Sequence, residues 1–314
     1  MINESKAWDL YWETGALESC VTQSDELVQS ALETLWTGFV SDKSQTQSLL
    51  DLATGNGSVL KILVQVQPTL QLTGVDQAKI TAHPSIVKQG SKNVALISNV
   101  DIKNMEFKDQ TFDFITSQFG LEYALDKPIS VDAKALVEIN RLLKPSGSCQ
   151  FLIHHADSAL VKSNKARQKE LHALLSENGL ITHLSLLANG HSSIGVIEKV
   201  GQDYLAMPTK KTKAISGQVF DAVAYFIQRL SAGETVDELK EQIDQTVLRI
   251  EAEYSRLSQL IQAALSEKDF ANFCSVFQSF GFDILKDKPF EVVNQKDSFD
   301  LLGWQFLAQK SGRA

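Results

Sequence analysis

The sequence has no excess of basic residues, no long apolar run and almost no cysteine, and each shortage closes off a class of function. Lys and Arg number 30 against 38 Asp and Glu, a formal net charge of −8 over 314 residues. A general nucleic-acid binder needs a broad basic surface to displace counterions from phosphates, so no nucleic-acid partner is expected. The one basic run, Pro208 to Lys213, reads as a solvated loop ahead of a helix. No apolar stretch approaches the roughly 18 residues of a membrane span, and the first residues lack the apolar core of a signal peptide. Cys20, Cys149 and Cys274 are odd in number and far apart, which suits neither a disulfide framework nor a zinc site. The expectation is a protein of the reducing cytoplasm that holds no metal.

What is present is ordinary for a globular chain: 43% apolar and 22% charged residues. From Leu49 to about His155, short apolar runs alternate with amphipathic ones. "SLLDLA", "QLTGVD", "VALISNV", "FDFITSQ" and "SCQFLIH" read as strands. Between them, "SVLKILVQVQ" and "VDAKALVEINRLLKPSG" read as helices. In the second, Ala135, Leu136, Ile139, Leu142 and Leu143 keep helical spacing before a Pro-Ser-Gly stop. The alternation predicts an α/β, Rossmann-like doubly wound sheet, mostly parallel with an antiparallel last strand.

After His155 helical periodicity dominates. The expected organisation is N-terminal helices and a cofactor-binding core over 1–157, a helical insertion over 158–269, and a last helix with two strands over 270–314 that rejoin the core sheet. The insertion carries a long helix whose apolar positions Ile243, Val247, Ile250, Tyr254, Leu257 and Ile261 step by four and three. That seam packs inside the insertion or joins two copies as a homodimer. Trp8, Tyr11 and Trp12 share one helical face, and with the insertion they are the candidate lid over a bound ligand.

The segment "DLATGNGSVL", Asp51 to Leu60, is the centre of the functional reading. It has the form of a strand–helix turn at the ligand edge of a doubly wound sheet, where Gly55 and Gly57 leave backbone open to close approach. A pyrophosphate site wants no acid nearby and a third glycine for helix packing. Asp51 opposes the first demand and Leu60 the second, which disfavours a nicotinamide dehydrogenase. A cationic ligand reverses the argument, because a carboxylate beside an amino group or sulfonium is favourable. S-adenosylmethionine is such a ligand. Asp76 closes the second strand about 20 residues beyond Gly57, the spacing of a ribose-binding acid. Asp101 follows the third strand, placed to accept from an adenine amino group, with Ile102 against the ring.

Taken with "INRLLKPSG" and "NVDIKNMEFKDQTFDFITSQFGLEY", these motifs resemble the class I S-adenosylmethionine-dependent methyltransferases. Within that class they are most similar to the ubiquinone/menaquinone-biosynthesis type, whose first loop also reads Asp-x-Ala-x-Gly-x-Gly. The resemblance implies a cofactor set of Asp51, Ala53, Thr54, Gly55, Asn56, Gly57, Asp76, Gln77, Asp101 and Ile102. Met105, Phe107, Phe112 and Asp113 fit the approach to the fourth strand, and Ser117, Gln118 and the residues to Tyr123 face the methyl group. It covers roughly Leu49 to Ile153. The quinone enzymes carry Arg-Asn where this chain has Glu122-Tyr123, and they lack so long an insertion.

Methyl transfer needs alignment more than acid–base chemistry, unless the acceptor must lose a proton. The tentative catalytic residues are His154 and His155 at the end of the fifth strand, with Glu122 and Tyr123 after the fourth. Ser117-Gln118-Phe119-Gly120 is not the Asn/Asp-Pro-Pro-Tyr/Phe segment that grips exocyclic amino groups. A small-molecule methyltransferase is the expectation, with the O-, N- or C-acceptor open. The alternatives are a cofactor-binding interaction module without turnover, and a macromolecular methyltransferase supported only by the Pro208–Lys213 run.

Overall fold

A computed structural model describes residues 3–20, 25–40, 47–88, 93–206, 213–293 and 298–312. The Pro208–Lys213 run lies outside them except for Lys213. The chain divides into two compact units: a core unit, Tyr11–Lys162 with Leu260–Ala314, and a helical unit, Met1–Leu10 with Ser163–Gln259.

The core unit holds a seven-stranded sheet of β1 (Ser48–Leu52), β2 (Gln71–Val75), β3 (Val94–Ile97), β4 (Phe112–Gln118), β5 (Leu143–His154), β6 (Phe282–Val293) and β7 (Phe299–Lys310). The strand order is β3-β2-β1-β4-β5-β7-β6. The first five strands run parallel, and β7 is antiparallel to both neighbours, β5 and β6. This is the expected mostly parallel α/β sheet. The order turns back between β1 and β4, the switch point at which such sheets bind ligands.

Two helical layers cover the sheet, and strand alternation assigns each residue to a face. Leu50 and Leu52 of β1, Ile115 of β4, and Phe151 and Ile153 of β5 join a cluster with α5 (Lys134–Leu142) and α11 (Glu267–Ser279). Leu49, Phe114 and Leu152 join the opposite cluster, with α2 (Glu26–Val40), α3 (Ser58–Val66) and Ile86 of α4 (Pro84–Lys88). Ser266 and Asp269 start α11 with a reciprocal capping box. Leu143 departs from the helical spacing of the sequence: α5 ends at Leu142, and β5 begins at once and runs through Pro145 and Gly147.

Leu60 of α3 resolves the missing third loop glycine. A Cβ built on Gly74 of β2 would lie 2.8 Å from Leu60 Cδ1, so the close helix–strand approach is secured on the strand side. At the sheet edge, β6 carries Lys286, Lys288 and Pro289 and is irregular in register at two places.

In the helical unit, α7 (Leu180–Ala188), α8 (Ile194–Ala206), α9 (Lys213–Ser231) and parts of α6 (Ala159–Leu175) and α10 (Val236–Ala263) share one core. Ile243 and Leu257 are buried there, and Val247, Ile250 and Tyr254 pack against it. These five positions of the seam pack within the helical unit, and Ile261 packs with Val161 and Leu260. None of the described helices is long and apolar enough to cross a membrane.

Candidate active site

The site is built at the carboxyl ends of β1, β2, β4 and β5. After β1 the chain turns through Ala53 at φ 51°, Gly55 at 54° and Gly57 at 93° before α3 begins. Ala53 stands in the left-handed region that favours glycine. A Cβ on Gly57 would lie 2.5 Å from Ile86 Cδ1, so this position excludes a side chain twice over.

Asp76, at the end of β2, braces the turn. Its carboxylate accepts from Gly55 N at 2.8 Å and from Ala78 N at 2.9 Å. Gln77 beside it is exposed. Asp101 is also exposed and accepts from Lys103 N, whereas Ile102 turns into the core with Met105 and Leu125.

Asp51 is not the open carboxylate that the sequence suggested. It is 1% exposed, and its two oxygens accept from Thr54 Oγ1 at 2.6 Å and Thr116 Oγ1 at 2.8 Å. Burial pushes its pKa up to about 7 against the pull of those hydroxyls, and the neighbouring Asp76 adds to the rise. Its reach toward a cation is a matter of nearby charge rather than contact. Thr54, Asn56, Ser117 and Gln118 likewise spend side-chain groups on the protein. Ser117 Oγ donates to Leu52 O and accepts from Leu121 N, and Gln118 accepts from Trp36 Nε1 at 2.7 Å.

Asn56 ties the start of the core unit to the loop. Its amide donates to Trp12 O and Ala16 O and accepts from Thr81 N. Trp12 rests on the loop so closely that a Cβ on Gly55 would lie 2.5 Å from its ring. The aromatic stripe hinted at this contact; the Asn56 clamp carried no sequence signal.

Three of the four tentative catalytic residues come together. His154 Nδ1 lies 2.6 Å from Glu122 Oε1, which also accepts from His154 N at 2.7 Å. Phe119 lies over the imidazole at 4.5 Å between ring centroids, and Tyr123 meets its edge at 6.1 Å. Burial works against charge on the ring, but Cys20 and the Glu122 carboxylate more than reverse it, so the pKa is raised. His155 does not belong to this group, and its place there is corrected. Alternation turns it to the other face, where it stacks on Trp304 at 4.2 Å and accepts from Asp157 N.

The switch point of the sheet, a glycine turn braced by Asp76 after β2 and the exposed Asp101 after β3 stand at the carboxyl ends of the strands. Residues 50–151 match the family described as a methyltransferase domain. The matched stretch, from β1 into β5, is a methyltransferase domain. The demethylmenaquinone methyltransferase of Thermotoga maritima is 33% identical over 106 residues, 34% of this chain and 43% of that protein. The ubiquinone/menaquinone biosynthesis C-methyltransferase of an Enterobacter species is 32% identical over 135 residues, 39% of this chain and 50% of that one. The chain thus spans about half the length of the curated relatives it matches. A solved methyltransferase of Aquifex aeolicus aligns over 98% of both chains with a TM-score of 0.44 and 13% identity.

Proposed function

We propose that this chain is an S-adenosylmethionine-dependent methyltransferase acting on a small-molecule acceptor. The observation that carries the reading is the turn of Gly55 and Gly57 braced by Asp76 inside a matched methyltransferase domain. Bound there, the cofactor supplies an electrophilic methyl group on a sulfonium. Backbone at Gly55 and Gly57 would hold its amino-acid end and Asp76 its ribose, while Asp101 would receive the adenine amino group. Asp51 contributes negative charge beneath the loop. The net charge of −8 supports a small acceptor over a nucleic acid.

Calorimetry with S-adenosylmethionine, S-adenosylhomocysteine and NAD tests the reading. Binding of the first two, weakened at least tenfold by Asp76→Ala, supports it. Heat only with NAD, or an Asp76→Ala protein of unchanged affinity, would sink it.

A further inference from the structure

One face of β5 and β7 is polar where the interior of a covered sheet is ordinarily apolar. On the α11 side, Phe151, Phe306 and Ala308 join the aromatic cluster. On the α2 side, alternation presents Ser148 and Gln150 from β5 and Gln305, Leu307 and Gln309 from β7. Ser148 pairs across the ladder with Gln309, Gln150 with Leu307, and Gln305 with Leu152. Ser148, Gln150 and Gln305 are 6%, 3% and 5% exposed. The Gln150 amide donates to Leu35 O at 3.1 Å, which leaves its oxygen to accept. The Ser148 hydroxyl and the whole Gln305 amide have no hydrogen-bond partner among the described residues. Burying such groups unpaired is costly, so the floor they form calls for a partner from outside the chain.

The space they face is a cleft of about 730 Å³ between α2 and the β5-β7-β6 part of the sheet, all within the core unit. That is the size of a small-molecule pocket. Leu35 and Phe39 of α2 form one wall, and Phe290 and Val292 of β6 flank the floor. The charged residues lining it, among those described, are Lys286 and Glu291, both exposed and opposite in sign, so no net charge draws an ion. Ser148 and Gln150 stand six and four residues before His154 at the end of β5. At the rise of a strand this is roughly 13–20 Å back from the cofactor edge.

We propose that this cleft is a second small-molecule site, for a neutral ligand that presents an amide or lactam edge on a flat apolar body. A glutamine amide carries a donor and an acceptor side by side, and a lactam edge matches both in two parallel hydrogen bonds. The Ser148 hydroxyl gives or takes a third. A carboxylate or phosphate would find no cation on this floor, and a polyol would lay hydroxyls against Leu35, Phe39 and Leu307. The assignment stands independently of methyl transfer.

The probe that tests it is 2-quinolone, a neutral fluorescent lactam, against 1-methyl-2-quinolone, which lacks the N–H, and the anion 2-naphthoate. Titrated into the full-length protein, 2-quinolone is expected to bind at least tenfold more tightly than either control. Gln305→Leu should weaken it at least tenfold and Ser148→Ala at least threefold, with S-adenosylhomocysteine affinity the same in both variants as in the unaltered protein. Gly38→Phe leaves the floor intact: Gly38 lines the cleft from α2 and a Cβ there meets open space, so the ring should obstruct the cleft and cut affinity at least tenfold. Side-chain amide NMR on the unaltered protein should show the Gln305 resonances move with 2-quinolone, a readout that needs no variant. Undetectable binding, equal affinity for either control, unmoved Gln305 resonances, displacement of the probe by S-adenosylhomocysteine, or affinity unchanged in both Gln305→Leu and Gly38→Phe overturns the proposal. So does a sedimenting dimer that Leu285→Asp converts to monomer, since Leu285 is exposed at the rim and the cleft would then be covered by a second copy.

Discussion

Nδ1 of His154 and Oε1 of Glu122 lie 2.6 Å apart, joining the end of β5 to the turn that follows β4 with neither side chain open to water. Glu122→Ala strands a buried cation and should cost about 3–5 kcal/mol in urea denaturation. Replacing both partners, Glu122→Leu with His154→Phe, should recover most of that loss. The folded imidazole titrates above its ordinary value of 6.5. Its stabilisation is therefore complete below that pH and lost as pH rises through the folded value, a slope that the double replacement should abolish.

Asp51 has the opposite sign. Its folded pKa of about 7 exceeds the ordinary 3.8, so folding favours the neutral acid and the side chain costs stability as pH climbs between the two. Asp51→Asn should gain on the unaltered protein by roughly 3–4 kcal/mol between pH 4 and pH 8. The affinity for S-adenosylmethionine should rise from pH 6 to pH 8 in the unaltered protein and stay flat in Asp51→Asn. Calorimetry at three pH values decides it.

The two ends of the turn should respond oppositely to a methyl group. Gly57→Ala places a Cβ at φ 93° and against Ile86, and thermal denaturation should show a loss of about 2 kcal/mol or more. Ala53→Gly relieves φ 51°, and its gain of up to about 1 kcal/mol is offset by the added freedom of the unfolded chain. A net change within about 0.5 kcal/mol is expected.

Asn56→Asp removes only a donor. The carboxylate can still accept from Thr81 N but repels Trp12 O and Ala16 O, so the chain before α2 loses its tether. Limited proteolysis should cut between Trp12 and Cys20 at least tenfold faster in this variant. Equal rates would show that Trp12 on Gly55 holds the segment unaided.

Legibility followed the range of the interaction. The five parallel strands and the acid-glycine turn are local patterns, and each was readable from apolar alternation or spacing. Leu60 was readable as an exception, but its partner Gly74 sits on another strand, so the reason was not. The burial of Asp51 depends on Thr116 lying across the β1–β4 ladder. Likewise Glu122 and His154 are 32 residues apart, and only the β4–β5 pairing brings them together. Alternation along β5 required that the two histidines part, without saying which would meet the acid. The Pro-Ser-Gly run does end the helix, and the ladder with β4 skips from Leu143 to Ser148 across it, with Ser146 at φ 62°.

β6 has a consequence for assembly. A proline cannot donate to an incoming strand, and an uneven ladder offers no straight template. Sheet extension by a second molecule is thereby discouraged at this margin, and concentrated protein should show no growth of cross-strand fibres from it.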